Sequence, residues 1–177
     1  MPWFALQPDV IEYQTVSWGP LVATRPTLRV ELAGARGLQP YTFLDTGAPV
    51  SVVSQAVAIG IGAALRPIAV PNPVPRVQHG RPIPAEPATR FLTWRDPFAN
   101  IDIPCRLAEF DVQLRDRHTG ATSGPLTMVA KVLQAPAQAY SGYFVLIGLH
   151  LLLANAGQLH LEGQQWNLGG PGLFFPP

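Results

Sequence analysis

The chain has 177 residues, of which 47% are hydrophobic and 13% are charged, and its net charge is +1. This composition excludes a disordered chain, and the near-zero charge without Lys/Arg runs gives no basis for a nucleic-acid or membrane-surface partner. The single cysteine, Cys105, excludes a disulfide framework, and no histidine stands at zinc-ligand spacing from it. We therefore expect no metal and no cofactor. The first residues lack the basic start and apolar core of a signal peptide, so the expected location is cytoplasmic.

Twenty prolines and 16 glycines disfavour long helices and favour short strands joined by loops. Residues 27–33 alternate polar and apolar and are predicted to form a strand, and residues 41–44 are predicted to form an apolar strand. Ser54 suits a helix N-cap, and residues 55–65 have apolar side chains at helical spacing. The sequence therefore predicts an all-β fold with one or two short helices.

The second half of the chain continues this pattern. Residues 66–90 are rich in proline and are predicted to be extended loop. The remaining predicted elements are strands at 91–94, 105–114, 126–133 and 158–162 and a hairpin loop at 118–124. Without an internal repeat or a linker, we expect a single domain over residues 1–177, with a core of about 27–163 and extensions at both ends.

The most informative motif follows the strand at 41–44. The run Phe43-Leu44-Asp45-Thr46-Gly47-Ala48 carries a carboxylate on a tight turn after an apolar strand, and two hydroxyls, Ser51 and Ser54, follow. Gly47 permits a close backbone approach, and the hydroxyls can hydrogen-bond within the loop. Asp and Gly are also common in purely structural turns. The whole string resembles the active-site loop of the retropepsin-like aspartic proteases, the single-domain relatives of pepsin.

A second segment supports the same resemblance. The run Leu146-Ile147-Gly148-Leu149-His150-Leu151-Leu152 is similar to the family's apolar strand with a glycine, followed by a short helix. The resemblance implies a single-domain acid protease barrel in which Ile147 and Gly148 lie beside the aspartate turn in a ψ-shaped crossing. It implies that Asp45 is catalytic. The implied active-site loop consists of Thr46, Gly47, Ala48 and Ser51.

The number of suitable aspartates bears on the oligomeric state. Acid-protease chemistry uses two carboxylates that share one proton. Of six aspartates only Asp45 stands in an Asp-Thr-Gly sequence. An active enzyme must therefore be a homodimer with Asp45 contributed by each subunit. The apolar ends of the chain either exchange between subunits in one sheet, as in retropepsins, or pack over their own domain.

Two family features differ in this chain. Retroviral members carry an acidic residue after the loop alanine, held by an arginine after the second-motif glycine, whereas Pro49 and Leu149 stand at these positions. The family also covers its cleft with a β-hairpin flap, and residues 76–83, with His79 and Gly80 at the tip, either form this flap or are a proline-bordered surface loop. The expected function is hydrolysis of peptide or protein substrates as an aspartic endopeptidase. The alternative is a non-catalytic dimeric module of the same fold that binds a peptide or protein partner.

Overall fold

The computed structural model describes residues 3–15, 19–28, 30–33, 41–45, 47–62, 64–160 and 172–174. Within these ranges the chain is mostly strand with few, short helices, and its main sheet curls into a half-barrel. The all-β class is therefore confirmed.

The helices are α1 (Gln55–Ile61), α2 (Ala88–Phe91) and α3 (Leu149–Ala154). The strands are β1 (Trp3–Thr15), β2 (Gly19–Leu28), β3 (Val30–Leu32), β4 (Tyr41–Leu44), β5 (Ser51–Val53), β6 (Arg66–Pro67), β7 (Val74–Gln78), β8 (Arg81–Glu86), β9 (Thr93–Arg95), β10 (Asp102–Val112), β11 (Leu114–Asp116), β12 (Leu126–Leu133), β13 (Phe144–Ile147), β14 (Gln158–His160) and β15 (Gly172–Phe174).

Most of these strands belong to one sheet. Its order is β14-β15-β1-β2-β4-β13-β5-β12-β10-β6. Strand β9 lies outside this order and pairs with residues 102–104 at the start of β10. The pairs β3–β11 and β7–β8 form two small sheets of their own. The antiparallel pair β10–β12, which extends from Cys105 opposite Leu133 to Val112 opposite Leu126, is the long scaffold next to the motif strands.

Strand β13 lies between β4 and β5, the strands that enter and leave the loop carrying Asp45. It pairs in parallel with β4, where Ile147 stands opposite Leu44, and antiparallel with β5. Parallel pairing with one strand and antiparallel pairing with the next gives the ψ-shaped crossing that the second motif predicts. The expected contact between residues 146–148 and the Asp45 loop is confirmed, although a hundred residues separate the two segments in sequence.

Buried side chains form two clusters on this scaffold. The larger joins the sheet to α1 and α3 and includes Phe110, Met128 and Leu151. The smaller includes Phe43 of β4 and Phe144 of β13. Each such side chain contributes roughly 1.5–3 kcal/mol when removed from water, so the strands on both sides of the Asp45 loop are anchored in the core.

Helix α1 is shorter than predicted. It ends at Ile61 and not at residue 65, because Gly62 adopts a left-handed φ of 60° and donates its N–H to the Ile59 carbonyl, as a glycine C-cap does. Leu65 still packs against the larger core cluster. Its apolar spacing therefore reflects burial beyond the end of the helix.

The strand predicted over 27–33 is wrong as a single element. Strand β2 ends at Leu28 after pairing with β1 and β4, whereas β3 pairs with β11 in a separate sheet. The alternation of polar and apolar residues continues through both strands, so it does not reveal the change of partner. The strand predicted at 105–114 is likewise divided, into β10 and β11, whereas 126–133 is confirmed as β12.

The loop predicted over 66–90 is also wrong, because it contains β6, the hairpin β7–β8 and most of α2. Most of the side chains of this hairpin are exposed and its strands pair only with each other, so prolines can occupy positions that face no neighbouring strand. The strand predicted at 91–94 begins two residues later, since Phe91 closes α2 and β9 starts at Thr93.

The C-terminal strand β15 pairs with β1 and with β14 of the same chain. Exchange of the chain ends between two subunits stays a prediction. The strand predicted at 158–162 is described from Gln158 to His160, and its last two residues lie outside the described ranges. Among the described helices, none has both the length and the apolar character needed to span a bilayer.

Candidate active site

Asp45 lies at the exposed end of β4, where the chain turns. Its backbone N–H donates to the Ile147 carbonyl at 2.9 Å, which fixes the turn to the second motif. Its Oδ1 accepts the Gly47 N–H at 3.0 Å, and its carbonyl accepts the Ala48 N–H at 3.2 Å. These three bonds hold an exposed carboxylate on a rigid turn with an oxygen facing outward, the arrangement that a general acid or base needs.

The exit from the loop is held equally tightly. Ser51 is fully buried, and its Oγ accepts the Gly148 N–H at 3.1 Å. A Cβ at Gly148 would lie 2.5 Å from the Val50 carbonyl carbon and 2.8 Å from the Ala48 oxygen. The backbones of the two motifs are therefore in direct contact, and only glycine fits at this crossing.

The loop is also bonded to the start of α3. The Leu149 N–H donates to the Ala48 carbonyl at 2.9 Å, and the His150 N–H donates to the Pro49 carbonyl at 3.0 Å. These bonds link the loop to the second motif at the positions where retroviral proteases are expected to use an acidic residue and an arginine. At these two positions the link between the motifs consists of backbone hydrogen bonds.

A cavity of about 340 Å³ opens beside Asp45. Its lining is mainly aromatic and apolar, with two charged groups. The lining residues are Phe43, Leu44, Asp45, Trp94, Arg95, Pro97, Tyr140 and Leu146. Arg95 is held in place by Asp102 Oδ1 at 3.0 Å and Asn100 Oδ1 at 2.7 Å. A concave, mainly apolar surface with a few charged groups is typical of a ligand-binding site.

Asp96, directly next to the cavity-lining Arg95 and Pro97, is fully buried. Its Oδ1 accepts the N–H groups of Phe98 and Ala99 at 2.9 and 3.1 Å. Its Oδ2 accepts those of Gln138 and Ala139 at 2.7 and 3.2 Å. Burial raises the pKa of this carboxyl, but the four N–H donors together outweigh it and leave the pKa below its usual value.

This lowered pKa predicts how the stability depends on pH. The pKa of Asp96 is lower in the folded state than in the unfolded state, so the unfolded state binds the proton more tightly. The ionised carboxylate therefore stabilises the fold above about pH 4. This stabilisation is lost as the pH falls through the folded-state pKa. We expect Asp96→Asn to be about 2 kcal/mol less stable than wild type at neutral pH. This difference should shrink below pH 4. Urea unfolding of both proteins over a pH series measures it, and a constant difference would contradict the charged role of Asp96.

Tyr140, which also lines the cavity, has an unusual backbone. It and Ser141 have φ of 54° and 55°, and Gly142 follows at 75°. A non-glycine residue in this left-handed region costs about 1–3 kcal/mol. The turn nevertheless directs the Tyr140 ring into an aromatic group, at 4.5 Å from Phe43 and 5.4 Å from Phe144 between centroids.

The structure brings together most of the predicted site residues. Gly47, Ala48 and Ser51 surround the Asp45 turn, and Ile147 and Gly148 bond to it from β13. Thr46 lies outside the described residues. Ser54 precedes α1 as predicted but does not cap it with its side chain, because its Oγ accepts the Phe144 N–H at 3.3 Å.

The segment proposed as a flap is a hairpin. His79 and Gly80 form its two-residue tip with φ of 50° and 74°, the pair of positive values that a tight type I′ turn requires. At the base of the hairpin, Glu86 Oε1 lies 3.3 Å from Arg90 Nε, and Glu86 Oε2 lies 3.9 Å from Arg76 Nε. Neither tip residue lines the cavity beside Asp45.

Sequence reasoning does not find the part of the site that lies outside the two motifs, which consists of Trp94, Arg95, Asp96, Pro97 and Tyr140. The sole local signal is Asp96 before Pro97, since Asp favours turns in which its carboxylate caps following N–H groups. The bonds from Asp96 to residues 138 and 139 link distant segments, and no local pattern predicts them.

A larger depression of about 460 Å³ lies elsewhere, along α1 and the ends of β10 and β12. Its only charged lining residue is Arg106, and it does not include Asp45. Volume alone would favour this depression as the functional site. The chemistry favours the smaller cavity, since catalysis needs a positioned acid or base.

Comparisons with models of protein families, with curated proteins and with solved structures each gave no match for this chain. Function is therefore inferred from the residues and their geometry.

Proposed function

We propose that this chain is a retropepsin-like aspartic endopeptidase, active as a homodimer. The observation that carries the proposal is the geometry of the Asp45 turn. The exposed Asp45 side chain stands at the end of a buried strand, and the Asp45 backbone N–H donates to the Ile147 carbonyl. Ile147 belongs to β13, which lies between β4 and β5. A turn that serves only to reverse the chain does not need a second distant segment to hold it. The cavity at its side supplies room for a substrate side chain.

The proposed chemistry uses one Asp45 from each subunit. The ionised carboxylate takes a proton from a water molecule while the protonated one donates its proton to the scissile carbonyl oxygen, which gives a tetrahedral diol. The C–N bond then breaks as the nitrogen receives a proton from the first carboxyl group. The second carboxylate recovers its proton from a diol hydroxyl, so the dyad returns to its starting state. Activity is expected at acidic to near-neutral pH, where two neighbouring carboxylates share a single proton.

The absence of an acidic residue at Pro49 and of an arginine at Leu149 favours the second candidate function. Without this pair, the loop lacks a side chain that contacts the substrate backbone in retroviral members, and a dimer of this fold would bind a peptide or protein partner without cleaving it. Both candidates place the ligand at the same cavity and require the same dimer. They differ only in whether bonds are broken.

The dependence of activity on protein concentration tests the proposal. Cleavage of an unbiased peptide library, read by mass spectrometry, is measured at several protein concentrations beside sedimentation of the same samples. We expect the specific activity to rise with the dimer fraction, because a monomer has one Asp45. A strictly monomeric protein that cleaves peptides would contradict the dimer, and a dimer that binds library peptides intact would favour the second candidate.

A further inference from the structure

One wall of the cavity beside Asp45 is assembled from two segments that are far apart in sequence. Arg95 and Pro97 come from the chain between β9 and β10, and Tyr140 comes from the turn before β13. Phe43 and Leu146, which also line the cavity, are fixed because they belong to the paired strands β4 and β13. The shape of the cavity therefore depends on how the two separate segments are held together.

Asp96 joins these two segments directly. One carboxylate oxygen binds the N–H groups of Phe98 and Ala99, just after Pro97, and the other binds those of Gln138 and Ala139, just before Tyr140. Because the carboxylate is fully buried, water does not compete for these bonds. The Phe98 ring packs edge-on against Tyr140 at 5.6 Å, so the same connection is continued by side chains.

The backbone at Tyr140 requires such support. Three successive residues, Tyr140, Ser141 and Gly142, have positive φ, and only the third is a glycine. Left-handed conformations at bulky residues persist where the surrounding structure imposes them, and they are concentrated at functional sites. Two of the four bonds to Asp96 come from Gln138 and Ala139, and Ala139 directly precedes Tyr140, so the restraint lies where the strained turn begins.

We propose that Asp96 is a positioning residue that fixes the left-handed turn at Tyr140, and that the Tyr140 ring so held determines which substrate side chain the cavity accepts. This inference rests on the proposed function for its substrate, an extended peptide, but concerns selection and not the chemical step. Asp96 does not reach the reacting atoms. Its loss should widen the cavity and weaken discrimination, while the Asp45 turn, held by β13, stays in place.

The experiment compares selectivity between variants. The best library peptide and versions with alanine at each position near the cleaved bond are assayed with wild type, Asp96→Ala and Tyr140→Gly. For each peptide position, the preference is the ratio of kcat/KM for the original residue to kcat/KM for alanine. At the position whose side chain enters the cavity, this ratio should fall at least about tenfold in both variants, mainly through a change in KM. Tyr140→Gly covers the case in which Asp96→Ala fails to fold, because glycine adopts a φ of 54° without strain.

Asp116→Ala is the matched control. Asp116 is also a buried aspartate that caps a loop, since its Oδ1 accepts the N–H groups of His118 and Thr119. Unlike Asp96, it is not adjacent in sequence to residues that line the cavity. Its loss should lower stability and leave the preference unchanged. If Asp96→Ala lowers kcat/KM for all peptides in the same proportion, as a merely structural role would, the inference is overturned.

A binding readout separates this inference from the proposed function. N-acetylphenylalaninamide is titrated into each protein while the ring resonances of labelled tyrosine are followed by NMR, with Tyr140→Phe used for assignment. Shifts of the Tyr140 signal in wild type that are lost in Asp96→Ala would support the inference even if no peptide is cleaved. Equal shifts of the Tyr140 signal in wild type and in Asp96→Ala would overturn the inference. It would also be overturned if the signal does not shift in wild type and the peptide selectivity is the same in both proteins.

Discussion

Replacement of Asp45 by Asn is expected to lower peptide cleavage by at least about a thousandfold, the scale of a lost general acid or base. Asn cannot take the proton from the attacking water, and in the dimer both subunits lose the carboxylate together. The fold should be preserved, because Asn keeps an Oδ1 that can accept the Gly47 N–H, and the backbone bond to Ile147 does not involve the side chain. Library cleavage and a thermal unfolding curve, measured on the same preparation, test both statements.

Asp111→Asn is a suitable control for this variant. Asp111 is exposed, belongs to β10 and pairs with Arg66 at 3.0 Å, away from the cavity. Exposed ion pairs contribute at most about 1 kcal/mol, so activity should be unchanged. Equal cleavage by wild type and Asp45→Asn would remove Asp45 from the mechanism. No cleavage by either protein at any pH would favour the binding module.

Mixing the two proteins tests whether the two carboxylates come from different subunits. Excess Asp45→Asn should inhibit wild type, because mixed dimers contain a single carboxylate. The inhibition should follow the fraction of mixed dimers and not the amount of added protein as such. An excess of Asp111→Asn should leave the total activity at or above that of wild type alone. Activity unaffected by Asp45→Asn subunits would indicate that each chain acts independently.

The sequence predicts the centre of this fold better than its periphery. The strands before Asp45 and before Gly148 are apolar runs bounded by turn residues, and both lie where predicted. Their mutual contact was inferred from the resemblance of two motifs, since no local pattern in either run specifies a partner. In the segment 66–90 the sequence predicts loop, with a hairpin at 76–83 only as one of two alternatives, because prolines mask the strand signal on exposed strands.

The same distinction applies to the candidate site. Asp45 and its loop are local in sequence, and the resemblance of this short motif to the active-site loop of the retropepsin-like proteases is enough to single them out. The cavity wall is formed by contacts between segments about 40 residues apart, Asp96 with Gln138 and Ala139, and by a left-handed turn at a tyrosine. Propensity argues against a positive φ at tyrosine. Such positions are found only when the tertiary contacts that impose them are known.

Gly148→Ala is expected to give the largest loss of stability of any single methyl addition considered for this chain. The added Cβ would lie 2.5 Å from two backbone atoms of Val50 and 2.8 Å from the Ala48 oxygen. The φ of Gly148 is −87°, a value that alanine adopts readily, so the effect comes from space and not from conformation. Overpacking costs about 1–3 kcal/mol, and occasionally more, where surrounding atoms can move.

Here the surrounding atoms have little freedom to move. The loop is bonded to the second motif on both sides of the contact, through Ser51 Oγ to the Gly148 N–H and through the Ala48 carbonyl to the Leu149 N–H. A shift that relieves the clash must therefore break hydrogen bonds of the crossing, and we expect a loss of about 3 kcal/mol or more in the free energy of unfolding. Any folded fraction should also lose activity, because the same shift displaces Asp45.

Gly124→Ala is the matched control for this prediction. Gly124 has a φ outside the left-handed region, and an added Cβ there meets no atom within 4 Å among the described residues. Its stability should lie within about 0.5 kcal/mol of wild type. Urea unfolding of the three proteins at neutral pH gives the comparison. If Gly148→Ala were as stable as Gly124→Ala, the two backbones would not be in contact. The ψ-shaped crossing that places Asp45 beside the second motif would then have to be abandoned, because that crossing leaves no room for a methyl group between the strands.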